Sequence, residues 1–109
     1  MYLSVITIGE LRRGVELIKH RNDLKQASIL EQWLDKITLD YSDRILDFTK
    51  AEAQVWGRLR VPHHEHSIDK QIAAIALING LIVVTRNTDD FVGTGVELLN
   101  PFEPDLQIL

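Results

Sequence analysis

The sequence lacks cysteine, and this absence excludes several kinds of site. None of the 109 residues is cysteine, so disulfides, thiolate nucleophiles and cysteine-ligated zinc are all excluded. Long hydrophobic runs are missing as well, because no apolar stretch approaches the roughly 18 residues of a membrane helix. The N-terminus also lacks the basic, apolar leader of a signal peptide. These absences predict a cytoplasmic protein with no membrane span.

A surplus of positive charge is also absent. The chain has 12 Lys and Arg against 16 Asp and Glu, which gives a net charge of −4. Domains that bind nucleic acid over their whole surface are usually strongly basic, so only a local basic patch remains compatible. The acidic surplus suits carboxylates gathered around a cation, or a basic protein partner. Because 45% of the residues are hydrophobic, we predict a single domain over residues 1–109 with a sizeable core.

Strand-like and helix-like patterns alternate in the first half of the chain. Residues 1–7 form a strand-like run, and Thr7 to Glu10 has the spacing of a capping box, which predicts the start of a helix. A second amphipathic helix carries Trp33 and Leu34 on its apolar stripe. We predict that this helix forms an outer layer and that Trp33 is a core or interface residue. A short strand then precedes a second capping-box pattern at residues 49–52.

The same alternation continues in the second half. A helix is predicted to open at Ser67 and to stop at Gly80. The apolar run from Leu81 to Val84 predicts a strand buried on both faces. A turn or short helix follows over residues 87–91, and residues 96–99 form a last strand. Helices that connect such strands predict a three-layer α/β domain with a mainly parallel sheet.

Three acidic residues are predicted to meet at one edge of this sheet. Glu10 follows the first strand, Asp69 lies in the first turn of a crossover helix, and Asp90 follows the strand that this helix leads to. Clustered carboxylates repel one another unless a cation neutralises them, and oxygen ligands suit Mg²⁺ or Mn²⁺. Such ions support phosphoryl transfer, so the pattern predicts metal-dependent phosphodiester hydrolysis. The alternative is that Glu10 and Asp69 only stabilise helix termini and that Asp90 is simply solvated.

The loop His63-His64-Glu65-His66 offers a competing site. His63 and His66 could bind Zn²⁺ or Ni²⁺ if they faced the same way. A polar surface loop is the favoured interpretation, because the sequence places no further His or Cys ligand nearby to complete a tetrahedral site.

Four segments taken together resemble the PIN-domain family, specifically the VapC-type and FitB-type toxins of bacterial toxin-antitoxin pairs. These segments are residues 2–11, 69–74, 84–91 and 100–102. Each is a weak motif alone, but their order is specific and they span nearly the whole chain. The resemblance implies an α/β/α nuclease fold, a ribonuclease activity dependent on Mg²⁺ or Mn²⁺, dimers, and an antitoxin partner that inhibits the active site.

The resemblance also assigns roles to individual residues. By matching position, Glu10 and Asp69 are expected to be catalytic metal ligands. The last acidic place is ambiguous, because many relatives carry Asp where this chain has Asn87, whereas others rely on the acid that corresponds to Asp90. We favour Asp90, with Thr85 and Asn87 supporting it through hydrogen bonds.

Substrate binding is expected to involve an arginine at the same edge. Arg86 adjoins the predicted acidic cluster, and arginine side chains commonly contact nucleic-acid phosphates. We therefore predict that Arg86 contacts the RNA backbone.

One departure from the family changes the expected activity. Family members begin with a strand ending in Leu-Asp-Thr-Asn, whose Asp is the first metal ligand, and this sequence has no such segment. We therefore expect an N-terminally truncated domain with weak or no catalysis. Its exposed strand edge is a liability that pairing or strand exchange with a second copy would cover. The alternative function is an inactive PIN domain that captures an antitoxin or a second copy of the chain.

Overall fold

The computed structural model describes residues 1–101, which belong to two compact units. The N-terminal unit is Met1–Asp47 and the C-terminal unit is Phe48–Leu109. Phe102, the last residue of the predicted motif at residues 100–102, lies outside the described residues. No helix in the described part is long and apolar enough to cross a membrane.

The N-terminal unit is a helical hairpin flanked by two short strands. Its elements are β1 (Leu3–Ser4), α1 (Val5–His20), α2 (Leu24–Asp40) and β2 (Ile45–Leu46). The two strands pair in parallel, with Leu3 opposite Ile45. The parallel pairing agrees with the prediction, although each strand contributes only two residues.

Helix α1 begins earlier than the sequence pattern predicted. Ser4 has an extended backbone, and its Oγ accepts a hydrogen bond from the backbone N of Thr7 at 2.9 Å. This serine therefore caps the helix, so the predicted strand to Thr7 and the capping box from Thr7 to Glu10 were both wrong. Glu10 lies in the second turn of α1 rather than the first, and it is exposed.

Helices α1 and α2 bury a narrow apolar stripe between them. Val15 of α1 and Ala27 and Leu34 of α2 are buried, and Leu34 is only 1% exposed. Trp33 is 47% exposed, so it does not belong to this core, and its alternative role at an interface stays a prediction. Adjacent helical residues point about 100° apart, and Leu34 rather than Trp33 occupies the inner position.

A bidentate ion pair joins the polar sides of the same two helices. Arg12 donates from Nη1 and Nη2 to the two carboxylate oxygens of Glu31 at 2.8 and 2.5 Å, and Lys19 Nζ adds a contact at 3.2 Å. The hydrogen bond from Arg12, followed by that from Lys19, lowers the pKa of Glu31 to about 2. The carboxylate therefore favours the folded state over the unfolded state wherever it is ionised.

This pair predicts a defined loss of stability in acid. Because the folded-state pKa of Glu31 is about 2 and its ordinary value is 4.5, the folded state binds fewer protons between these values. The contribution of the Glu31 carboxylate to the free energy of unfolding is complete above pH 4.5 and disappears as pH falls towards 2. We expect Glu31→Gln to unfold at lower urea concentration than the wild type at pH 7, with the difference shrinking through this range.

Glu16→Gln is the matched control for this pH series. Glu16 contacts the same two cations, but at 3.5 and 3.6 Å, so its removal should have a smaller effect at pH 7. If the difference in stability between the wild type and Glu31→Gln stayed the same from pH 7 to pH 2.5, the lowered pKa of Glu31 would be contradicted.

The C-terminal unit places two helices against a second pair of short strands. Its elements are α3 (Lys50–Leu59), α4 (Ser67–Asn79), β3 (Val83–Val84), a 3₁₀ helix (Thr88–Phe91) and β4 (Leu98–Leu99). Strands β3 and β4 are parallel, with Val83 opposite Leu98. A core of Ala73, Ala76, Val83 and Phe91 joins α4 to β3 and the 3₁₀ helix.

The start of α3 and the end of α4 follow the predicted local rules. The capping box at the start of α3 is confirmed, since Thr49 N donates to Glu52 Oε1 at 2.8 Å and Thr49 Oγ1 also contacts this oxygen. The hydrogen bonds from Thr49 lower the pKa of the buried Glu52 carboxyl. Helix α4 ends at Gly80, whose φ of 64° is the left-handed conformation that glycine adopts without strain.

Strand β3 is buried on one face only, so the predicted burial of both faces was wrong. Val83 is 9% exposed, whereas its neighbours Ile82 and Val84 are 54% and 51% exposed. Side chains alternate between the two faces of a strand, and α4 packs on the Val83 side. An apolar run alone does not distinguish these two arrangements.

Candidate active site

The first turn of α4 presents an acidic residue close to a histidine. Asp69 is the third residue of α4, and His66 is the residue that precedes the helix. The Asp69 side chain is 31% exposed, and its Oδ2 lies 4.0 Å from Nδ1 of His66. A carboxylate in the first turn is favoured by the free N–H groups and the dipole of the helix.

The 3₁₀ helix brings a second carboxylate to the same place. Asp90 Oδ1 lies 3.6 Å from His66 Nδ1, and one ligand atom from each of His66, Asp69 and Asp90 falls within 4.8 Å of the others. Two of the three acids that the sequence singled out are therefore neighbours in the C-terminal unit, and a histidine joins them.

Backbone hydrogen bonds hold the segment that carries Asp90. Thr85 N donates to Leu99 O at 3.0 Å, which ties the segment to β4, and Thr85 Oγ1 accepts from Asn87 N at 3.0 Å. Asn87 O in turn accepts from Asp90 N at 3.1 Å. A series of hydrogen bonds therefore runs from β4 through Thr85 and Asn87 to Asp90. Asn87 takes part in it through its backbone N and O atoms.

A buried lysine holds the loop that carries His66. Lys70 is 7% exposed, and its Nζ donates to the backbone carbonyl of His63. Lys70 N also donates to His66 O at 2.9 Å. The start of α4 and the histidine loop are therefore fastened together by one residue, the neighbour of Asp69.

The two histidines that could have formed a zinc site have different partners. His63 Nδ1 lies 3.8 Å from Glu65 Oε2 on an exposed part of the loop, whereas His66 turns towards Asp69 and Asp90. Among the described residues, the candidate metal-binding group includes His66 but not His63.

Glu10 and Arg86 are the remaining site residues predicted from the sequence. Glu10 belongs to the N-terminal unit, where it is exposed on α1. Arg86 is exposed in the segment between β3 and the 3₁₀ helix. The roles of Glu10 as a metal ligand and of Arg86 as an RNA contact stay predictions.

His66 contacts both acids, although the sequence did not predict that it would lie beside them. The available signal was its separation of three residues from Asp69, because a residue just before a helix and the third residue of that helix are close in space. Residues 63–66 also form a histidine-rich pattern typical of a separate surface loop, which competes with this signal.

The donor set fits a small divalent cation. Two carboxylates that approach one another repel unless a cation or a proton neutralises them, and both are partly exposed to solvent. Carboxylate oxygens are preferred by Mg²⁺ and Mn²⁺, and an imidazole nitrogen is accepted by transition-metal ions. This combination of an α/β framework and a carboxylate cluster is typical of metal-dependent hydrolases.

Comparison with known proteins identifies the family. The model of the PIN domain matches residues 1–95, so the chain belongs to the PIN domain family and the predicted resemblance is confirmed. The chain is 38% identical to plasmid stability protein StbB of Pseudomonas syringae pv. tomato, over 94% of this chain and 76% of that protein. It is 33% identical to toxin FitB of Neisseria gonorrhoeae and 30% identical to VapC ribonuclease Y4jK of Sinorhizobium fredii, with 76% of each covered.

Solved structures agree with the family assignment. The crystal structure of FitAcB from Neisseria gonorrhoeae contains a chain that is 33% identical and superposes with a TM-score of 0.82, over 94% of this chain and 76% of that chain. The structure of FitAB bound to an IR36 DNA fragment gives a TM-score of 0.79 at 30% identity, over 94% and 73%. The predicted α/β PIN-like fold class is therefore confirmed.

Proposed function

We propose that this chain is the toxin of a type II toxin-antitoxin pair and acts as a metal-dependent endoribonuclease. The single observation that carries the proposal is the meeting of Asp69 and Asp90, within 4.8 Å of one another and of His66, in a PIN domain. Relatives named toxin FitB and VapC ribonuclease support the activity, and the relative named plasmid stability protein supports the biological setting.

In this proposal the acids hold the ion and the neighbouring groups bind RNA. Asp69 and Asp90 are the metal ligands, and Glu10 is proposed as a further ligand. When bound, Mg²⁺ or Mn²⁺ supplies an activated water and stabilises charge on the phosphoryl group. Arg86 contacts a substrate phosphate, while Thr85 and Asn87 fix the backbone that carries Asp90. RNA as the substrate implies action in the cytoplasm.

The proposed partners are an antitoxin protein and a second copy of the chain. The solved FitAB assemblies, whose toxin is similar to this chain, support a protein partner. The alternative is an inactive PIN domain that retains this binding without catalysis. An exposed apolar strand face, with Ile82 and Val84 about half exposed, is compatible with either form of association.

Metal removal and restoration test the proposed activity. We expect the purified chain to cleave single-stranded RNA weakly, to lose this activity after treatment with EDTA, and to recover it with excess Mg²⁺ or Mn²⁺. The measurement is cleavage of end-labelled RNA on a denaturing gel, with Ca²⁺ as a divalent control. Cleavage that persists in EDTA would contradict the proposal, whereas inactivity together with stable antitoxin binding would favour the inactive module.

A further inference from the structure

We propose that His66 is an additional protein ligand of the divalent ion, beside Asp69 and Asp90, and makes the site select Mn²⁺ over Mg²⁺. The inference rests on the proposed metal-dependent function and deepens it, because it names the residue that chooses the ion. The sequence alone leaves the choice of ion open, and its histidine-rich pattern favours a separate surface loop for His66.

The distances from the His66 imidazole to the two carboxylates suit a shared ion. Two ligand atoms that each lie about 2.1 Å from one ion are separated by about 3.0 Å at a right angle and about 4.2 Å across the ion. The distances from His66 Nδ1 to Asp90 Oδ1 and Asp69 Oδ2 are 3.6 and 4.0 Å. Both values fall inside this window, so the imidazole needs little movement to coordinate an ion held by the two acids.

Direct ion pairing between His66 and the two carboxylates contributes little to holding the imidazole in this position. The histidine side chain is 53% exposed, and both contacts are longer than a hydrogen bond of about 3 Å. Exposed ion pairs of this kind contribute little to stability. The two contacts therefore leave the imidazole and both carboxylates available to a cation that binds between them.

The neighbouring structure fixes the backbone that carries the imidazole. His66 has a left-handed backbone, with φ 55° and ψ 43°, which turns the chain from the loop into α4. Lys70 fastens both sides of this turn through the carbonyls of His63 and His66. Lys70 is thus a positioning residue for His66 and contributes no ligand itself.

The chemistry of the imidazole predicts the direction of selectivity. Mg²⁺ prefers oxygen ligands and gives up bound water reluctantly, so replacing a water with a nitrogen ligand gains it little. Imidazole is a common ligand of Zn²⁺, Cu²⁺, Fe²⁺ and Ni²⁺, and Mn²⁺, the weakest binder of the same first-row series, accepts it more readily than Mg²⁺ does. A nitrogen ligand beside two carboxylates therefore strengthens Mn²⁺ binding more than Mg²⁺ binding.

The test measures metal binding rather than cleavage. The full chain is titrated with Mn²⁺, and free Mn²⁺ is followed by electron paramagnetic resonance; Mg²⁺ affinity is obtained by competition. Electron spin echo envelope modulation of the Mn²⁺-loaded chain reports whether a nitrogen nucleus is coordinated. The variants are His66→Ala and His66→Gly, the latter because glycine accepts the left-handed backbone. His64→Ala is the matched control from the same loop, and Asp69→Asn removes a carboxylate ligand.

The expected result is specific to Mn²⁺ and to His66. Both His66 variants should weaken Mn²⁺ binding by roughly tenfold, equivalent to about 1.4 kcal/mol, change Mg²⁺ binding less than about twofold, and lose the nitrogen modulation. His64→Ala should match the wild type in all three measurements. Asp69→Asn should weaken both metals.

Two outcomes would overturn the inference, and they are distinguishable. If Asp69→Asn weakens metal binding but the His66 variants keep wild-type Mn²⁺ affinity and nitrogen modulation, the His66 assignment is wrong while the proposed function stands. If the wild-type chain binds neither metal in a manner that depends on Asp69, the metal-dependent function fails and the His66 assignment fails with it.

Discussion

Asp69→Asn is expected to lower the rate of RNA cleavage by at least roughly a hundredfold, because a metal ion commonly contributes several kcal/mol to the stabilisation of a phosphoryl transition state. Asparagine keeps the size and the hydrogen-bonding oxygen of the side chain but removes the charge that neutralises the cation. The measurement is the initial rate of cleavage of a labelled RNA at saturating Mn²⁺, with circular dichroism to verify that the variant is folded.

Asp89→Asn is the matched control for this experiment. Asp89 precedes Asp90 in the same 3₁₀ helix, is exposed, and is not part of the group formed by His66, Asp69 and Asp90. Its substitution changes the net charge by the same amount, so a general electrostatic effect on RNA binding would appear equally in both variants. A wild-type rate in Asp69→Asn would exclude Asp69 from the catalytic machinery.

A double substitution separates a shared ion from two independent effects. If Asp69 and Asp90 hold the same cation, either single substitution already causes most of the decrease in cleavage rate that both substitutions cause together. Asp69→Asn combined with Asp90→Asn should therefore reduce the rate by much less than the product of the two single effects. Strictly multiplicative losses would indicate that the two carboxylates act in separate steps or places.

Local hydrogen-bonding rules predicted much of the framework of the C-terminal unit. Thr49 and Glu52 form the capping box that their spacing indicates, and Ser67 and Gly80 lie at the two ends of α4. These features depend on residues close in sequence, so the pattern contains the necessary information. The positions of Asp69 in a first turn and Asp90 after a strand follow from the same rules.

Competition between neighbouring signals explains what the sequence could not predict. Ser4 and Thr7 are both good capping residues, and the pattern gave no reason to prefer Ser4, whose hydroxyl caps α1 in the structure. The apolar run around Val83 was compatible with burial of one face or of both. That choice depends on which elements pack against the strand, which is a tertiary property that periodicity does not encode.

The position of His66 depended on both kinds of information. Its closeness to Asp69 is local and could have been derived from their spacing of three residues. Its closeness to Asp90 joins residues 24 positions apart in the chain and requires α4, β3 and the 3₁₀ helix to pack around one core. Candidate metal ligands are therefore better sought by combining capping positions with strand ends than by treating histidine-rich loops as separate sites.

The second large effect concerns stability and involves Leu34. This side chain is 1% exposed between α1 and α2, so Leu34→Ala removes buried apolar surface and leaves a cavity. Such substitutions cost about 2–5 kcal/mol, whereas a small domain has only about 5–15 kcal/mol of stability in total. We expect a large decrease in the urea midpoint, together with faster amide hydrogen exchange along α1 and α2.

Leu39→Ala isolates the contribution of burial from that of helix propensity. Leu39 lies in the same helix as Leu34 but is 73% exposed, so both substitutions change the intrinsic helix propensity in the same direction while only one empties a buried position. Leu39→Ala should alter the free energy of unfolding by less than about 0.5 kcal/mol. Equal losses from the two variants would mean that α2 does not pack on α1 through Leu34, and the assignment of the core of the N-terminal unit would then be wrong.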